Sequence, residues 1–237
     1  MAYDGTNYAG WQSQPEKITV QSEIEKVLKK IVDETILIHG SGRTDAKVHA
    51  TGQVFHFDSN VVIDCDSWKR AFNALLPKDI VVYDVVEVAK DAHCRRDAIS
   101  KQYEYRLNMG EYNLFQRNHI YQLNQKLDVE KMKEASLYFV GTHDFSSFCA
   151  NTKEEKENQV RTIFDIQLKI QGDILSIQFI GDGFMRYMVR MLVGGLIEVG
   201  RGKIEPTHLK EILDKQDKDA CNYNSDPCGL YLMQVKY

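Results

Sequence analysis

The sequence lacks the features that would direct a protein into or across a membrane. No apolar run approaches the ~20 residues that a membrane-spanning helix needs. Met1–Gly10 has neither the basic segment nor the apolar segment of a signal peptide. Tracts rich in Gly, Ser or Pro are also missing, and only four of the 237 residues are prolines. We therefore expect a cytoplasmic protein whose folded parts follow one another without a linker.

Cysteine is scarce, and its spacing points to neither a disulfide framework nor a zinc site. The five cysteines are an odd number, and no Cys-x-x-Cys occurs. The seven histidines are scattered along the chain. His49 follows Asp45 by four residues, but no helix and no third ligand accompany this pair. The sequence therefore predicts no metal site.

An excess of positive charge is missing as well. The net charge is −4, from 30 basic and 34 acidic residues, which argues against a general nucleic-acid coat. Any site for RNA or DNA must be a local basic cleft on an acidic molecule. The hydrophobic content of 43% is ordinary for a globular protein, and the length suits one large domain or two small fused ones.

Hydrophobic periodicity predicts the same order of elements twice. In the first stretch, apolar residues at helical spacing predict a helix over Val20–Val32, and a second helix containing Trp68 and Phe72 ends before Pro77. Strands are predicted at Met1–Asp4, Thr35–His39, Gln53–Phe57 and Ile80–Val88. The order β-α-β-β-α-β is that of a ferredoxin-like unit.

The second stretch repeats this order with one extra helix. One helix is predicted from Val129 to Gly141, another over the stripe Met185–Leu196, which Gly200 closes, and a short one near Pro206. Strands are predicted at Ile99–Asn108, Phe164–Ile170, Ile174–Ile180 and Gly229–Tyr237. We predict an α+β fold of two fused ferredoxin-like halves, 1–97 and 98–237, with a cleft between them. Such sheets often present an open face to RNA.

The stretch GSGRTDAKVHATGQVFHF, Gly40–Phe57, is the first candidate for a site. Asp45 lies in a glycine-bounded loop between two predicted strands, and the nearby Arg43 could keep its carboxylate ionised. A carboxylate in such a loop is more often the residue that forms an Asx turn. Two further segments that combine cations with aromatic residues favour the functional interpretation.

The first of these segments is HCRRDAISKQYEYRL. It interleaves cations with Tyr103 and Tyr105 on one face of a predicted strand, which suits phosphate contact and base stacking. For Tyr105, a place in the core is the better interpretation. The second segment, GFMRYMVRMLVGG, puts Arg186 and Arg190 on one face of a predicted helix. An arginine at the edge of an apolar stripe, as Arg190 is, usually needs an anionic partner.

These stretches together resemble the tRNA pseudouridine synthase A family over nearly the whole chain. The resemblance implies a pseudouridine-synthase fold with a central antiparallel sheet, in which Asp45 is the nucleophile, Tyr103 the active-site tyrosine and Arg190 the active-site arginine. Lys47 stands where the family usually has glycine, so lysine is strained if that position needs a positive φ. The similar segments are AYDGTNYAGWQSQ, Thr19-Val20-Gln21, GRTDAKVHATGQVFHF, KQYEYRL, VRTI, FMRYMVR and GLYL.

The family's reaction converts uridine to pseudouridine in the anticodon stem-loop of tRNA. It breaks the N1–C1′ bond, turns the uracil and joins C5 to C1′, and only a proton is exchanged, so no cofactor is implied. Arg190 would keep Asp45 anionic, and Tyr103 would stack on the base and assist proton removal at C5. Whether Asp45 attacks C6 or C1′, or removes a sugar proton, stays open.

The resemblance also implies how tRNA is bound. The uridine must leave the stem, and Arg43 would fill the vacated space or hold the flipped phosphate. Leu230 or Leu232 would line the base pocket, and a homodimer would grip the tRNA. The expected phosphate contacts are Arg95, Arg96, Lys101 and Arg186.

Two other classes of protein remain as alternatives. A non-catalytic RNA-binding protein with two RRM-like sheets would not need an Asp–Tyr–Arg set, and RRM signatures such as Gly-Phe-x-Phe are absent. A hydrolase with an aspartyl nucleophile usually brings further carboxylates for Mg²⁺, and Arg43–Phe57 contains only Asp45.

Overall fold

The computed structural model describes residues 1–152, 154 and 158–237 as a mixed α/β fold with mostly antiparallel strand pairing. The chain forms two compact units. The first contains Met1–Ile99 together with Tyr231–Tyr237, and the second contains Ser100–Leu230.

The bounds of the regular elements are as follows. The helices are α1 (Val20–Val32), α2 (Cys65–Leu75), α3 (Val129–Ser136), α4 (Met188–Gly200) and α5 (Pro206–Lys215). The strands are β1 (Ala2–Tyr3), β2 (His39–Gly40), β3 (His49–Ala50), β4 (Phe55–His56), β5 (Ile80–Val81), β6 (Ser100–Asn108), β7 (Tyr121–Gln122), β8 (Gly141–Asp144), β9 (Val160–Gln171), β10 (Ile174–Gly181) and β11 (Leu230–Lys236).

In the first unit, short strands follow the order β5-β1-β3-β11. Strand β1 is antiparallel to β3 and β5, whereas β3 and β11 are parallel. Strands β2 and β4 form a separate antiparallel pair in which His39 lies opposite His56. The segment that contains Asp45 connects β2 to β3.

The predicted strands of the first unit are longer than the observed ones. Side chains from helices take the backbone groups that a longer ladder would need. The Ile38 N–H donates to Glu25 Oε1 (3.3 Å), and its carbonyl accepts from Gln21 Nε2 (3.4 Å). The Asn73 amide likewise bonds both backbone groups of Val82, each at 2.8 Å. The predicted strands at Thr35–His39 and Ile80–Val88 are therefore wrong over most of their length.

Helix α1 is confirmed at both predicted ends. The Thr19 side chain accepts from Ser22 N, and Ser22 Oγ accepts from Thr19 N, which is a capping box. Helix α2 contributes Phe72, which is fully buried and meets the Phe55 and Phe57 rings edge-on at 5.9 and 5.8 Å. This aromatic cluster packs α2 against the segment that contains β4.

In the second unit, long antiparallel strands follow the order β6-β10-β9-β8, and β7 adds to β6 in parallel. Strand β10 pairs with β6 from Ile174↔Asn108 to Gly181↔Lys101. Helix α4 is apolar on nearly all sides and buried along its length, as a core helix should be. Strand β8 was not predicted, because Gly141–Asp144 lacks an apolar alternation.

Two predicted helix bounds in this unit are wrong. Helix α3 ends at Ser136 and continues as a 3₁₀ turn, Leu137–Phe139, ahead of Gly141, whose φ is +111°. Helix α4 begins at Met188, because Tyr187 has left-handed φ and ψ of 63° and −2°. Along the described residues, no helix combines the length and the apolarity that a membrane span requires.

Candidate active site

Asp45 lies half-buried in the loop between β2 and β3 of the first unit. Its carbonyl accepts from Val48 N (3.2 Å), which closes a turn over the two residues between them. Lys47 N in turn donates to the Tyr8 carbonyl (3.2 Å). The backbone on the C-terminal side of Asp45 is therefore held both by the loop itself and by the N-terminal segment.

The N-terminal segment also presses closely against the residue before Asp45. Gly10 has a φ of +98°, and a Cβ built on it would stand 2.7 Å from the Thr44 carbonyl oxygen. The adjacent Trp11 N donates to the same oxygen (3.0 Å). Only glycine permits this backbone and this approach, which explains why the AYDGTNYAGWQSQ stretch accompanies the loop.

A buried amide holds the N-terminal side of the loop. Gln53 is fully buried, and its Nε2 donates to the Gly42 carbonyl (2.8 Å) while its Oε1 accepts from Ser41 Oγ (2.8 Å). The Tyr3 hydroxyl lies 2.9 Å from Thr44 Oγ1 and 3.4 Å from Gln53 Nε2. Burial raises the pKa of Tyr3 to about 12, so this hydroxyl stays neutral and can donate. Gln53 and Tyr3 thus hold the residues on the N-terminal side of Asp45.

Lys47 has a left-handed backbone, as expected if this position, which is usually glycine in the similar family, needs a positive φ. Its φ is 65° and its side chain is exposed. A non-glycine residue in this region costs roughly 1–2 kcal/mol. The loop therefore keeps a glycine-like backbone at Lys47 and gains an exposed ammonium group there.

The predicted cations of the first unit differ in their surroundings. Arg43, Arg95 and Arg96 are all exposed, but Arg95 also has side-chain bonds to the Asp45 loop. Arg95 donates from Nε (3.2 Å) and Nη2 (3.1 Å) to the Gly40 carbonyl, so it supports the start of the Asp45 loop. The backbone N–H groups of Arg95 and Arg96 both donate to His93 Nδ1 (3.1 and 3.3 Å). His93 therefore holds the turn that carries both arginines.

His56, His93 and Cys94 are the donor set of the first unit that could hold a metal, with ligand atoms within 4.8 Å of one another. Their hydrogen bonds oppose that use. His56 Nδ1 accepts from Cys94 N (3.3 Å), and His93 Nδ1 accepts from Arg95 N. A neutral ring with an accepting Nδ1 carries its proton on Nε2, whereas a metal-bound histidine normally donates from its second nitrogen. We assign no metal to this cluster.

In the second unit, Tyr103 lies on β6 opposite Phe179 of β10. It is buried, and its ring meets the Phe184 ring edge-on at 5.1 Å. Tyr105 is fully buried, and its hydroxyl donates to the Asp226 carbonyl (2.8 Å). The core position predicted for Tyr105 is confirmed. Lys101, on the same strand, is half-buried.

Arg190 lies in the first turn of α4 and is held from two directions. Its Nε donates to the Ser225 carbonyl (2.9 Å), and Ser225 N donates back to the Arg190 carbonyl (3.0 Å). Its guanidinium carbon lies 4.7 Å from the centre of the Tyr187 ring. The guanidinium carbon of Arg186, which is exposed, lies 5.6 Å from the same centre.

The prediction that Arg186 and Arg190 share a helix face is wrong. The helix starts after Arg186, because the left-handed backbone of Tyr187 interrupts it. The structure nevertheless brings both guanidinium groups to one aromatic ring. Leu230 and Leu232 are both buried, and their predicted part in a base pocket stays a prediction.

Comparison with known proteins shows to which family these motifs belong. The sequence model of a family described as tRNA pseudouridine synthase matches residues 1–97 and 135–237. The chain belongs to the tRNA pseudouridine synthase family. The resemblance that the motifs indicated is therefore confirmed.

Relatives within this family match the chain over its full length. The tRNA pseudouridine synthase A 1 of Bacillus cereus is 43% identical over 239 residues, which cover 100% of this chain and 96% of the relative. The tRNA pseudouridine synthase A of Anoxybacillus flavithermus is 42% identical, with the same coverage. That of Exiguobacterium sibiricum is 43% identical over 99% of this chain and 94% of its own length.

The residues that hold the candidate catalytic groups in place were not predicted from the sequence. Gln53 and Tyr3 hold the Asp45 loop, and Ser225 and Tyr187 hold Arg190. Gln53 at the start of the predicted strand Gln53–Phe57 was the one visible signal, since a buried amide needs partners. The others depend on contacts that sequence spacing does not reveal.

Proposed function

We propose that this family member isomerises uridine to pseudouridine in the anticodon stem-loop of tRNA, without a cofactor. The names of its full-length relatives support a tRNA substrate and this reaction. The observation that carries the proposal is the Asp45 loop, because a carboxylate in a motif of this family is presented by a backbone fixed on both sides. A preorganised nucleophile or base needs such support.

In this proposal Asp45 supplies the covalent or proton-transfer chemistry. It attacks C6 or C1′, or removes a sugar proton, and the three routes remain alternatives. Arg190 keeps the carboxylate ionised, since a guanidinium neighbour stabilises the charged form of an acid. The reciprocal bonds of Arg190 with Ser225 support a fixed guanidinium.

Tyr103 is proposed to stack on the target uracil and to assist removal of the C5 proton. Its edge-on contact with the Phe184 ring keeps the tyrosine ring in one orientation. Tyr103→Phe should bind tRNA nearly normally and turn over poorly. Turnover at the native rate would reduce Tyr103 to a stacking platform.

The remaining parts of the proposal concern binding and organisation. Leu230 and Leu232 line the base pocket, and Arg43 holds the flipped phosphate or fills the vacated space. Each chain is built from two ferredoxin-like halves, 1–97 and 98–237, and the protein acts in the cytoplasm as a homodimer. The proposed phosphate contacts are Arg95, Arg96, Lys101 and Arg186. The three arginines are exposed and accessible to a polyanion, whereas Lys101 is half-buried.

The test of the proposed function is tritium release from tRNA labelled at uracil C5, with a tRNA-binding assay run in parallel. The native protein should release tritium in the presence of EDTA. Asp45→Asn is nearly isosteric and should abolish release while binding persists, because the amide is a very poor nucleophile and base. Asp58→Asn removes an exposed carboxylate just after β4 and serves as the matched control.

The possible outcomes separate the alternatives. Binding without release by the native protein would support a non-catalytic RNA-binding protein. Retained release by Asp45→Asn would remove Asp45 from the chemistry. Loss of release and binding together, with an altered circular dichroism spectrum, would assign Asp45 a structural role in its turn.

A further inference from the structure

The residue that precedes α4 has an unusual backbone. Tyr187 has φ and ψ of 63° and −2°, in the left-handed region. Large side chains rarely adopt this conformation, and glycine or asparagine adopts it with much less strain. Such strain persists only where the surroundings fix it, and it is concentrated at functional sites. The backbone at this position disfavours a tyrosine, so the reason for a tyrosine here must lie in its aromatic ring.

The ring contacts two cations, one on each side of Tyr187 in the chain. The guanidinium carbon of Arg190 lies 4.7 Å from the ring centre, and that of Arg186 lies 5.6 Å from it. Both distances lie within the range of cation–π attraction. Arg190 follows Tyr187 by three residues, a spacing that brings side chains together over the first turn of a helix.

The second restraint on Arg190 is a hydrogen bond, which is directional. Its Nε donates to the Ser225 carbonyl at 2.9 Å, while Ser225 N donates to the Arg190 carbonyl at 3.0 Å. The Tyr187 ring lies close to the guanidinium carbon of the same side chain. It therefore adds a packing restraint on the plane of the guanidinium to the directional restraint that the Nε bond supplies.

We propose that Tyr187 is a positioning residue whose ring orients the Arg190 guanidinium for its part in the isomerisation. The left-handed backbone presents the ring to both arginines, and the ring rather than the hydroxyl performs the task. The inference rests on the proposed role of Arg190. It adds a residue that touches neither the substrate nor the reacting atoms.

The test uses substitutions that separate the ring from the backbone. Tyr187→Asn keeps a residue that tolerates the left-handed region but removes the ring. We expect kcat for tritium release to fall about 10- to 100-fold, as misplacement of a catalytic group by about 1 Å can do. KM for tRNA should change by less than about twofold. Tyr187→Phe restores the ring and should restore kcat to within about twofold of native.

Thermal unfolding distinguishes positioning from a merely structural role. Tyr187→Asn relieves backbone strain, so its midpoint should equal or exceed that of the native protein while its kcat falls. Should Tyr187→Asn fail to fold, Tyr187→Leu provides a ringless side chain of comparable bulk for the same comparison. A folded ringless variant with native kcat overturns the inference, and so does a Tyr187→Phe variant as slow as the ringless ones.

Arg190→Ala, measured in the same series, tests the role on which the inference depends. If Arg190→Ala turns over at the native rate, the proposed role of Arg190 fails and the inference fails with it. If Arg190→Ala is inactive while a folded ringless variant is fully active, the role of Arg190 stands and only the inference about Tyr187 is wrong. The two failures are thereby distinguishable.

Discussion

The strands β1 to β5 of the first unit are each two residues long, whereas β9 and β10 of the second unit have twelve and eight residues. A two-residue strand contributes few ladder bonds, so the loops around it need other support. In the first unit that support comes from buried side chains bonded to backbone groups, as Gln53 is bonded to the Gly42 carbonyl. In the second unit, continuous ladders and the buried helix α4 provide the frame.

This difference in support indicates which contacts each unit depends on to position its candidate catalytic residue. The position of Asp45 depends on one buried glutamine and on the close approach of the N-terminal segment. The position of Arg190 depends on a helix turn and on reciprocal bonds with Ser225. A single substitution at a residue that supports the Asp45 loop should therefore disturb this loop strongly. A comparable substitution in the second unit should disturb the strands and helix α4 less.

The largest effect is expected from Gln53→Leu. It removes the partners of Ser41 Oγ and the Gly42 carbonyl, and an unsatisfied buried group costs about 1–3 kcal/mol. We expect the free energy of unfolding to fall by about 3 kcal/mol and tritium release to fall at least about tenfold. Urea unfolding and the release assay measure the two effects.

Gln122→Leu is the matched control in the second unit. Its side chain bonds the Ile120 carbonyl, Asn113 N and Asn108 Nδ2, each at 2.9 Å. Because Gln122 is half-buried, we expect a smaller loss of stability than for Gln53→Leu, and a much smaller loss of turnover. Equal losses of turnover in both variants would break the comparison between the two units.

An intermediate effect is expected from pH. Burial lowers the pKa of His56 below its usual value, and the neighbouring His93 and His39 lower it further. As the pH falls from about 7 through the unfolded-state pKa of about 6.5, the unfolded chain takes up a proton before the folded one does. The free energy of unfolding should therefore decrease as the pH falls toward the lowered folded-state pKa.

Substitution of His56 tests whether this residue causes the pH dependence of stability. His56→Gln should flatten the pH dependence of the urea midpoint between about pH 7.5 and 5.5, because the variant removes the linked proton. A variant with the same slope as the native protein would assign the pH dependence to other groups.

The smallest effect is expected from Lys47→Gly. Glycine relieves the left-handed strain at φ 65° but increases the entropy of the unfolded chain, so a net gain of about 0.5 kcal/mol is expected. Ala46→Gly, in the same exposed turn but without a positive φ, should instead lose about 0.5 kcal/mol. Thermal midpoints of both variants measure the contrast. A loss of stability in both would show that backbone strain at Lys47 is unimportant.

Local sequence signals predicted the helices well. Apolar periodicity predicted both ends of α1, and Pro206 predicted the start of α5. The structure adds the Thr19–Ser22 capping box and the left-handed Asp33 at the ends of α1. The start of α4 was misplaced, because the apolar spacing of Met185 and Met188 continues across Tyr187 and does not report its left-handed backbone. The strands of the first unit were predicted too long, because β-branched residues indicate strand propensity but not whether a partner strand is present.

By itself the sequence determined the family, the helices and the three candidate residues Asp45, Tyr103 and Arg190. These follow from short motifs and apolar periodicity, in which the interacting residues are neighbours along the chain. Only the tertiary structure revealed what holds the candidates. The Tyr3 hydroxyl meets Gln53 across fifty positions, and Ser225 meets Arg190 across thirty-five. Such partners are selected by the packing of distant segments, because a buried polar group bonds whichever group the fold brings within reach.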